Sequence, residues 1–388
     1  MSWRFLLPNQ SWTVQLHRQV LLRAWPLLPR WVWGLIVIYS SSSWLLWHGW
    51  RQIYRNFQKH SKTVLTRDTI TAAQQLSGLL KAAYLHGIPA HAYYQFKLYY
   101  YPDKHWLDFV YTHELPHWHQ TLSPQISVKT QLLLSDKAEF SKRLTECDLS
   151  TVETLRILKR GQHLDTQDLF TGQSCFLKPN IGSRGEGCLI LNYCPEFARY
   201  RLVGDKIGQD IQQPTLIIDY IVQQVQQRDY LIQPLLTNHP LIQQYSPTET
   251  LVTLRLISTC AQNQQPTVVS ALLEIPAPEQ EKGWWLIAVD CETGCFIDSS
   301  DCWFKPSPAF IQTLHSMATQ AIPFWSETVT LCIKAHYLCA DIISIGWDVV
   351  ITPDGVQLLE GNINWGIAQH QIAYNKPALG EVYHASCC

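Results

Sequence analysis

No acidic side chain precedes Asp68 in this 388-residue chain, and no cysteine precedes Cys147. Residues 1–67 hold nine Lys or Arg without one local counter-charge, while 21 basic residues face 31 acidic ones in the remainder, an imbalance that the net charge of −1 conceals. An acid-free basic stretch ahead of an acidic body points to an anionic surface as the partner of the first part. Nucleic acid fits less well, because the stretch is apolar and holds no folded basic module. All twelve cysteines lie from Cys147 onward with no CxxC pair or other zinc-like spacing, which leaves reduced, buried thiols as the expected state. No period of 20 to 50 residues recurs, so solenoids and propellers are excluded, and no tract is low in complexity. Neither a nucleophile elbow nor a Cys–His signature is present. Charged, Trp-rich sequence comes before the N-terminal apolar run and no small-residue cleavage site follows it, so a cleavable signal peptide is not expected.

Apolar residues are plentiful, at 46% of the chain, enough for two or three compact units with real cores. Eight of the sixteen tryptophans fall within the first 50 residues, and such rings favour the membrane interface. Between Arg30 and Arg51 there is no charge, and a helix over those twenty residues would be about 30 Å long, the thickness of a hydrocarbon core. Four serines, Ser40 to Ser43, and His48 weaken a spanning reading; a helix lying in the interface, or packed on the body, is the alternative. Residues 1–61 are thus expected to be a basic, membrane-associating helical segment and 62–130 a small N-terminal domain. The closing Cys387-Cys388 pair is similar to a prenylation signal but is read as a frayed tail.

Within the second domain, Thr69 to Leu85 has the spacing of a helix, and Tyr93 to Tyr101 reads as an aromatic strand or turn. His113, His117 and His119 are interrupted by Pro116 and fit no helical pair, so they are not read as a metal site. Ser135 or Asp136 can cap a helix running to about Cys147. Strands are expected at Cys175 to Lys178, Cys188 to Leu191, Leu251 to Thr259, Thr267 to Glu274 and Trp284 to Asp290, with later helices near 308–319 and 328–340.

The strongest chemical signal is SIGWDVVITPDGVQLLEGNINWG, residues 344–366. It reads as two strands joined by a three-residue loop, Pro353-Asp354-Gly355, with Thr352 paired to Val356. Counting outward sets Asp348 opposite Glu360, with Asn362 on the same face. Two carboxylates about 5 Å apart at their Cβ atoms repel unless a cation lies between them. Magnesium, with its preference for hard oxygen ligands, fits that place. Trp347, Val349, Leu358 and Leu359 make the strands apolar, so charge on them needs a reason.

A second signal is FLKPNIGSRGEGCLI, residues 176–190. Gly182, Gly185 and Gly187 follow a strand ending in Lys178; glycines admit close approach of backbone N–H groups to phosphate, and lysine supplies a point charge. A dinucleotide fingerprint or P-loop must open into a helix, whereas here a strand follows, giving a strand–loop–strand flap.

Taken in order, Asp136-Lys137 before a helix, Lys178 on a strand, the glycine flap, the apolar strand Tyr230 to Leu235, then Asp348, Glu360 and Asn362, the chain resembles the ATP-grasp superfamily. Within it the chain is similar to the sugar-transfer-associated proteins through FLKPNIGSRGEG, LIQPLLTNHPLI, TLVTLRLIST and IGWDVVITPDG with LLEGN, over about residues 131–366. The resemblance implies an α+β fold in which two α+β subdomains grip ATP, a lid over 131–235 and a C-terminal subdomain over 236–388, preceded by the N-terminal apolar helical segment. It implies that Lys137 and Lys178 meet the nucleotide phosphates, that Gly182, Ser183, Arg184, Gly185 and Gly187 form the flap, and that Gln233 and Leu235 form the hinge beside adenine, where many relatives have Glu instead of Gln233. Asp348, Glu360 and Asn362 match the magnesium or manganese triad, and Arg255 an arginine that steadies the transferred phosphate or acceptor carboxylate. His239 is placed either near the ribose or acceptor or as an inert loop residue. The implied reaction joins a carboxylate to an amine through an acyl phosphate at the expense of ATP, at the cytoplasmic face of a membrane, on small-molecule, sugar or peptide substrates. The alternatives are a phosphotransferase on the same fold and a non-catalytic nucleotide-binding protein; polysaccharide or sugar-conjugate synthesis is the expected setting.

Overall fold

The computed structural model describes all residues except 1–10, 24–28, 183–184, 205–206, 208–209, 261–264, 278–282, 298–307, 318–319 and 382–388. Ser183, Arg184 and the Cys387-Cys388 pair therefore lie outside the described residues.

Two five-stranded sheets, antiparallel throughout, carry the molecule. The first contains β1 (Arg156–Leu158), β2 (Cys175–Pro179), β3 (Leu189–Cys194), β4 (Arg199–Gly204) and β5 (Tyr230–Pro234), in the order β1-β5-β2-β3-β4. The second contains β6 (Thr253–Thr259), β7 (Thr267–Ala277), β8 (Gly283–Val289), β9 (Ser344–Thr352) and β10 (Gly355–Asn362), in the order β10-β9-β6-β7-β8. Each sheet packs one face on a large apolar core. Cys175, Leu177, Leu189, Leu191, Tyr230 and Ile232 alternate onto a core with the helix Pro214–Val225, whose Ile217, Ile221 and Val225 recur at helical spacing. The second sheet does the same with Leu254, Leu256, Leu273, Ile275, Val349 and Leu358 against the helix Trp325–Tyr337. Trp347 is fully buried there, and its indole N–H donates to Ser258 Oγ at 2.7 Å. Ser258 in turn meets His336 Nδ1 at 2.6 Å, so this polar atom is satisfied inside the core.

The expected hairpin forms, by a different route. Thr352 pairs with Gly355, not Val356, so the loop has two residues, Pro353 and Asp354. That register alone would set Asp348 opposite Leu359. A bulge between Leu358 and Glu360 inserts one residue and restores the pairing of Asp348 with Glu360.

The N-terminal part is helical. Trp12–Arg23 packs into the body through Leu16 and Val20, which join Val110, Trp118 and Ile367 in a small core. His17 on that helix is buried against Glu114, Nδ1 to Oε1 2.6 Å, and burial opposed by the Glu114 charge leaves its pKa raised. A continuous helical run spans 30–68: an α-helix Arg30–Ser43, a π-helical turn Trp44–His48 and an α-helix Gly49–Asp68. No helix among the described residues is long and apolar enough to cross a membrane. The segment Tyr93 to Tyr101, read as an aromatic strand or turn, is the helix Ala90–Gln95 followed by a 3-10 turn. Its rings pack on one another and on Trp106, the Tyr93–Trp106 centroids lying 5.8 Å apart, so burial of aromatic area determines the conformation there.

Candidate active site

The site lies where the outer faces of the two sheets meet. On the second sheet directly opposed residues share a face, so the register places Arg255 beside Asp348 and Asp348 beside Glu360 in one row across β6, β9 and β10. Glu274 joins from β7, diagonal to Arg255. Arg255 Nε stands 2.8 Å from Asp348 Oδ1, Nη2 donates to Oδ2 at 3.0 Å, and Nε is 3.6 Å from Glu274 Oε1. The guanidinium is therefore held between two carboxylates. Desolvation works against its charge, but Asp348, Glu274 and Glu360 outweigh it and raise its pKa. Burial raises the Asp348 carboxyl well above the usual range; Arg255 opposes this and the negative charge of Glu360 adds to it. Burial likewise raises Glu274, against the pull of Arg255.

Asn362 completes the row, its Nδ2 lying 3.3 Å from both Asp348 Oδ2 and Glu360 Oε1. Amide O and N positions are assigned from such contacts, and a half-turn of the amide presents Oδ1 to the same space. Among the described residues no three His, Cys, Asp or Glu side chains converge as a metal cluster. The donor set here is two carboxylates and an amide, which suits a hard divalent ion that keeps water and phosphate in its shell. The charges agree: Asp348 is destabilised by its like-charged neighbour Glu360, a penalty that a dication between them would reverse.

The first sheet supplies the lysines. Lys178 pairs with Leu231 and Gln233 with Phe176, so Lys178 and Gln233 share the face opposite the apolar core. Both are buried. Desolvation lowers the Lys178 pKa, the charge of Glu360 opposes that and the charge of Lys137 reinforces it. Lys137 opens the helix Lys137–Glu146, whose first turn is capped from two sides: Asp136 Oδ1 accepts from Glu139 N–H at 2.9 Å, and Asn180 Oδ1 accepts from Ala138 N–H at 2.9 Å. The helix itself packs by Phe140 and Leu144 in the core of the second sheet. Lys137 thereby stands at the junction, with Nζ donating to Gly182 O at 2.6 Å and lying 3.7 Å from Glu360 Oε2.

Gly182, Gly185 and Gly187 form the β2–β3 connection with φ of 151°, 67° and 82°, values that favour glycine. A Cβ on Gly187 would come within 2.4 Å of Arg228 Nη2, so the loop rests on the Arg228–Tyr230 stack. Leu235 follows β5 in the segment joining the two sheets, half-buried. His239 ends that segment: its backbone N–H donates to Ile351 O at 2.8 Å and its Nδ1 accepts from Leu241 N–H at 3.1 Å, a helix-capping role. His119 Nε2–H donates to Trp365 O at 2.9 Å, and burial lowers its pKa to about 4.

Two residues near the row escaped the sequence reading. Glu274 is an acid in the apolar strand ALLEIP, and the criterion that singled out Asp348, charge on an apolar strand, would have found it. His370, on the helix Ile367–Tyr374 that follows β10, binds Ser270 Oγ through Nδ1 at 2.6 Å and leaves a buried Nε2 without a hydrogen-bond partner. No spacing in the sequence marks it.

A glycine flap on one antiparallel sheet, facing a carboxylate row on another across two lysines, defines the ATP-grasp class. The chain belongs to the sugar-transfer associated ATP-grasp family, whose pattern matches residues 117–385. Among curated proteins none matches. Among solved structures the chain is similar to D-alanine–D-alanine ligase from Bacillus anthracis complexed with ATP, at 11% identity and TM-score 0.36, over 62% of this chain and 58% of that one. It is also similar to L-amino acid ligase from Bacillus licheniformis, at 11% identity and TM-score 0.37 over 68% and 49% of the two chains. A third similarity is to N5-carboxyaminoimidazole synthetase from Staphylococcus aureus complexed with ADP, at 10% and 0.35 over 63% and 52%. The chain thus spans about half the length of these structures.

Proposed function

We propose that the protein is an ATP-dependent ligase that activates a carboxylate as an acyl phosphate and transfers the acyl group to an amine. The observation that carries this is the position of Lys137, within reach of both the Gly182 carbonyl of the flap and the Glu360 carboxylate of the row. A triphosphate entering between the sheets passes the two lysines on its way to the carboxylates. By formal charge three cations (Lys137, Lys178, Arg255) offset three carboxylates (Asp348, Glu360, Glu274), so a polyphosphate brings negative charge that calls for a further cation. Asp348, Glu360 and Asn362 would hold a magnesium or manganese ion, which supplies that charge.

In the reaction a carboxylate oxygen of the donor attacks the γ-phosphorus and ADP leaves. The amine then attacks the acyl carbon, inorganic phosphate leaves, and the amine gives up a proton. Arg255, fixed from both sides by Asp348 and Glu274, holds its guanidinium where the transferred phosphoryl group gathers negative charge. Lys178 offsets phosphate charge from the flap side, and the Gln233 and Leu235 segment offers backbone groups to the base. Sugar or peptide carboxylates and amines, in polysaccharide or sugar-conjugate synthesis, are the substrate classes this reading favours. The test is phosphate release from Mg-ATP across a panel of amino acids, amino sugars and acidic sugars. Acceptor-dependent release of ADP and phosphate together with an amide product supports the ligase; ADP with a phosphorylated acceptor refutes it in favour of phosphoryl transfer, and no release with any pair refutes it outright.

A further inference from the structure

The helical run over 30–68 exposes large apolar side chains on one side. Upstream of the π-helical turn these are Trp31, Leu35, Ile38 and Tyr39, each between 58% and 76% exposed. Within the turn and beyond it they are Trp47, Trp50 and Tyr54, each between 53% and 62% exposed. At about 100° per residue the two groups would point about 100° apart on an unbroken α-helix. The π-helical turn Trp44–His48 holds one extra residue, which sets the phase back by about 100° and brings both groups onto one line. From residue 31 to residue 54 that line is about 35 Å long at ~1.5 Å per residue.

Along its flank Arg51, Arg55, Lys59 and Lys62 are exposed, and no acid precedes Asp68. The Arg51 guanidinium lies 5.2 Å from the Trp47 ring centre. The opposite side of the helix is committed to the protein: Ile53 and Val64 are buried, Trp44 Nε1–H donates to Ala83 O at 3.0 Å, and a Cβ on Gly49 would come within 2.9 Å of the Tyr84 hydroxyl. A helix fastened in this way cannot be threaded through a bilayer, but it can lie along one.

We propose that the line of Trp31 to Tyr54 seats in the interface of a bilayer containing anionic phospholipid, with the helix parallel to the surface and the basic flank on the headgroups. Tryptophan and tyrosine favour that depth, and the acid-free run of bases matches its charge. The π-helical turn is then the device that makes the docking face continuous.

Flotation of the full chain with vesicles of phosphatidylcholine and phosphatidylglycerol, and with phosphatidylcholine alone, tests this. The chain is expected to float with the anionic vesicles and to bind them more than tenfold less at high salt. Arg55→Gln with Lys59→Gln is expected to weaken binding about 30-fold, taking about fivefold per base near an anionic surface. Trp47→Ser with Trp50→Ser is expected to weaken binding at every salt concentration, with circular dichroism confirming the helices. Failure of the wild type to float overturns the proposal, as does flotation that neither double variant weakens. Sedimentation showing a dimer that Trp47→Ser with Trp50→Ser dissociates would assign the face to a second copy and overturn it equally. Because the paired bases lie on the exposed flank, the Arg55 and Lys59 variant decides the matter even where the tryptophan variant fails to fold.

Discussion

Glu360→Gln separates the chemistry of the row from its stability. The Gln side chain keeps the shape of Glu360 and its place opposite Asp348, and removes one negative charge. Repulsion from Asp348 then disappears, and so does attraction to Lys137, Lys178 and Arg255. Repulsion with Asp348, at ~5 Å across the strands and an effective dielectric of 20, is about 3 kcal/mol. Attraction to Lys137, at 3.7 Å, is about 4 kcal/mol on the same footing, before solvent screening of the partly exposed pair reduces it. These two differ by about 1 kcal/mol, and the attraction also lost at Lys178 and Arg255 makes the variant the less stable, so a thermal melt is expected to fall, by about 2–4 °C per kcal/mol. Activity responds otherwise. Loss of one group aimed at developing charge costs about 10²–10³ in rate, and under the proposed function the lost charge is also a metal donor. Acceptor-dependent phosphate release should fall at least a hundredfold, with partial recovery at high magnesium. Release within threefold of the wild type, in a variant still folded at the assay temperature, would refute the placement of the ion and of the triphosphate together.

Gly187→Ala combines a φ of 82° with a Cβ 2.4 Å from Arg228 Nη2; left-handed strain of about 1–2 kcal/mol should displace the flap and raise the KM for ATP about tenfold with kcat little changed, read by phosphate release against ATP concentration. Glu274→Gln takes from Arg255 one of its two carboxylates, and a guanidinium displaced by about 1 Å should cost up to ~10²-fold in kcat while the KM for ATP holds, so a changed KM with normal kcat would count against the role given to Arg255. His119 is held neutral by burial and by donation to Trp365 O, its pKa falling from 6.5 to about 4. Between those values the unfolded chain binds the proton and the fold does not, so its stabilising contribution is complete above pH 6.5 and about 3 kcal/mol is lost as pH falls through 4; urea unfolding at stepped pH checks this, and a midpoint independent of pH over that window would contradict it.

How much of this the sequence disclosed depended on whether a local rule fixed the residue. Apolar runs bounded by turn residues identified β6 through β10 within a few residues, since both signals act over short spans. Asp136 caps its helix as read, because capping needs only three residues. The aromatic run 93–101 was ambiguous for the same reason: with no polar alternation to define a face, conformation followed from packing against Trp106 and Phe109, which no local rule supplies. The N-terminal 61 residues read as one basic, membrane-associating segment divide in the fold. Trp12–Arg23 is fastened into the body by Leu16, Val20 and the His17–Glu114 pair, a partner 97 positions away, while the exposed apolar line is confined to 31–54.

The Asp348–Glu360 hairpin shows why a correct pairing can rest on an incorrect path. A three-residue loop with regular strands and a two-residue loop with one bulge place the same residues opposite each other, because each adds one position to the same strand. Gly355, at φ 123°, takes the positive-φ place in both arrangements, so the turn residues do not distinguish them. Side-chain chemistry does: without the bulge Leu359 would stand beside Asp348 and Arg255, and Glu360 would turn toward the apolar core containing Val349 and Leu358. The arrangement with the charge outside avoids burying an unpaired carboxylate, a cost larger than the irregularity of one bulge. The same logic locates Lys137. Its helix is anchored in the second core by Phe140 and Leu144 and capped from the first sheet by Asn180, so its amine can meet Gly182 and Glu360 only when both sheets are in place. The site is therefore a property of the junction between the sheets, which is why Lys137, Gly182 and Glu360, the latter two 45 and 223 positions from the first, had to be joined by resemblance before any spacing rule could connect them.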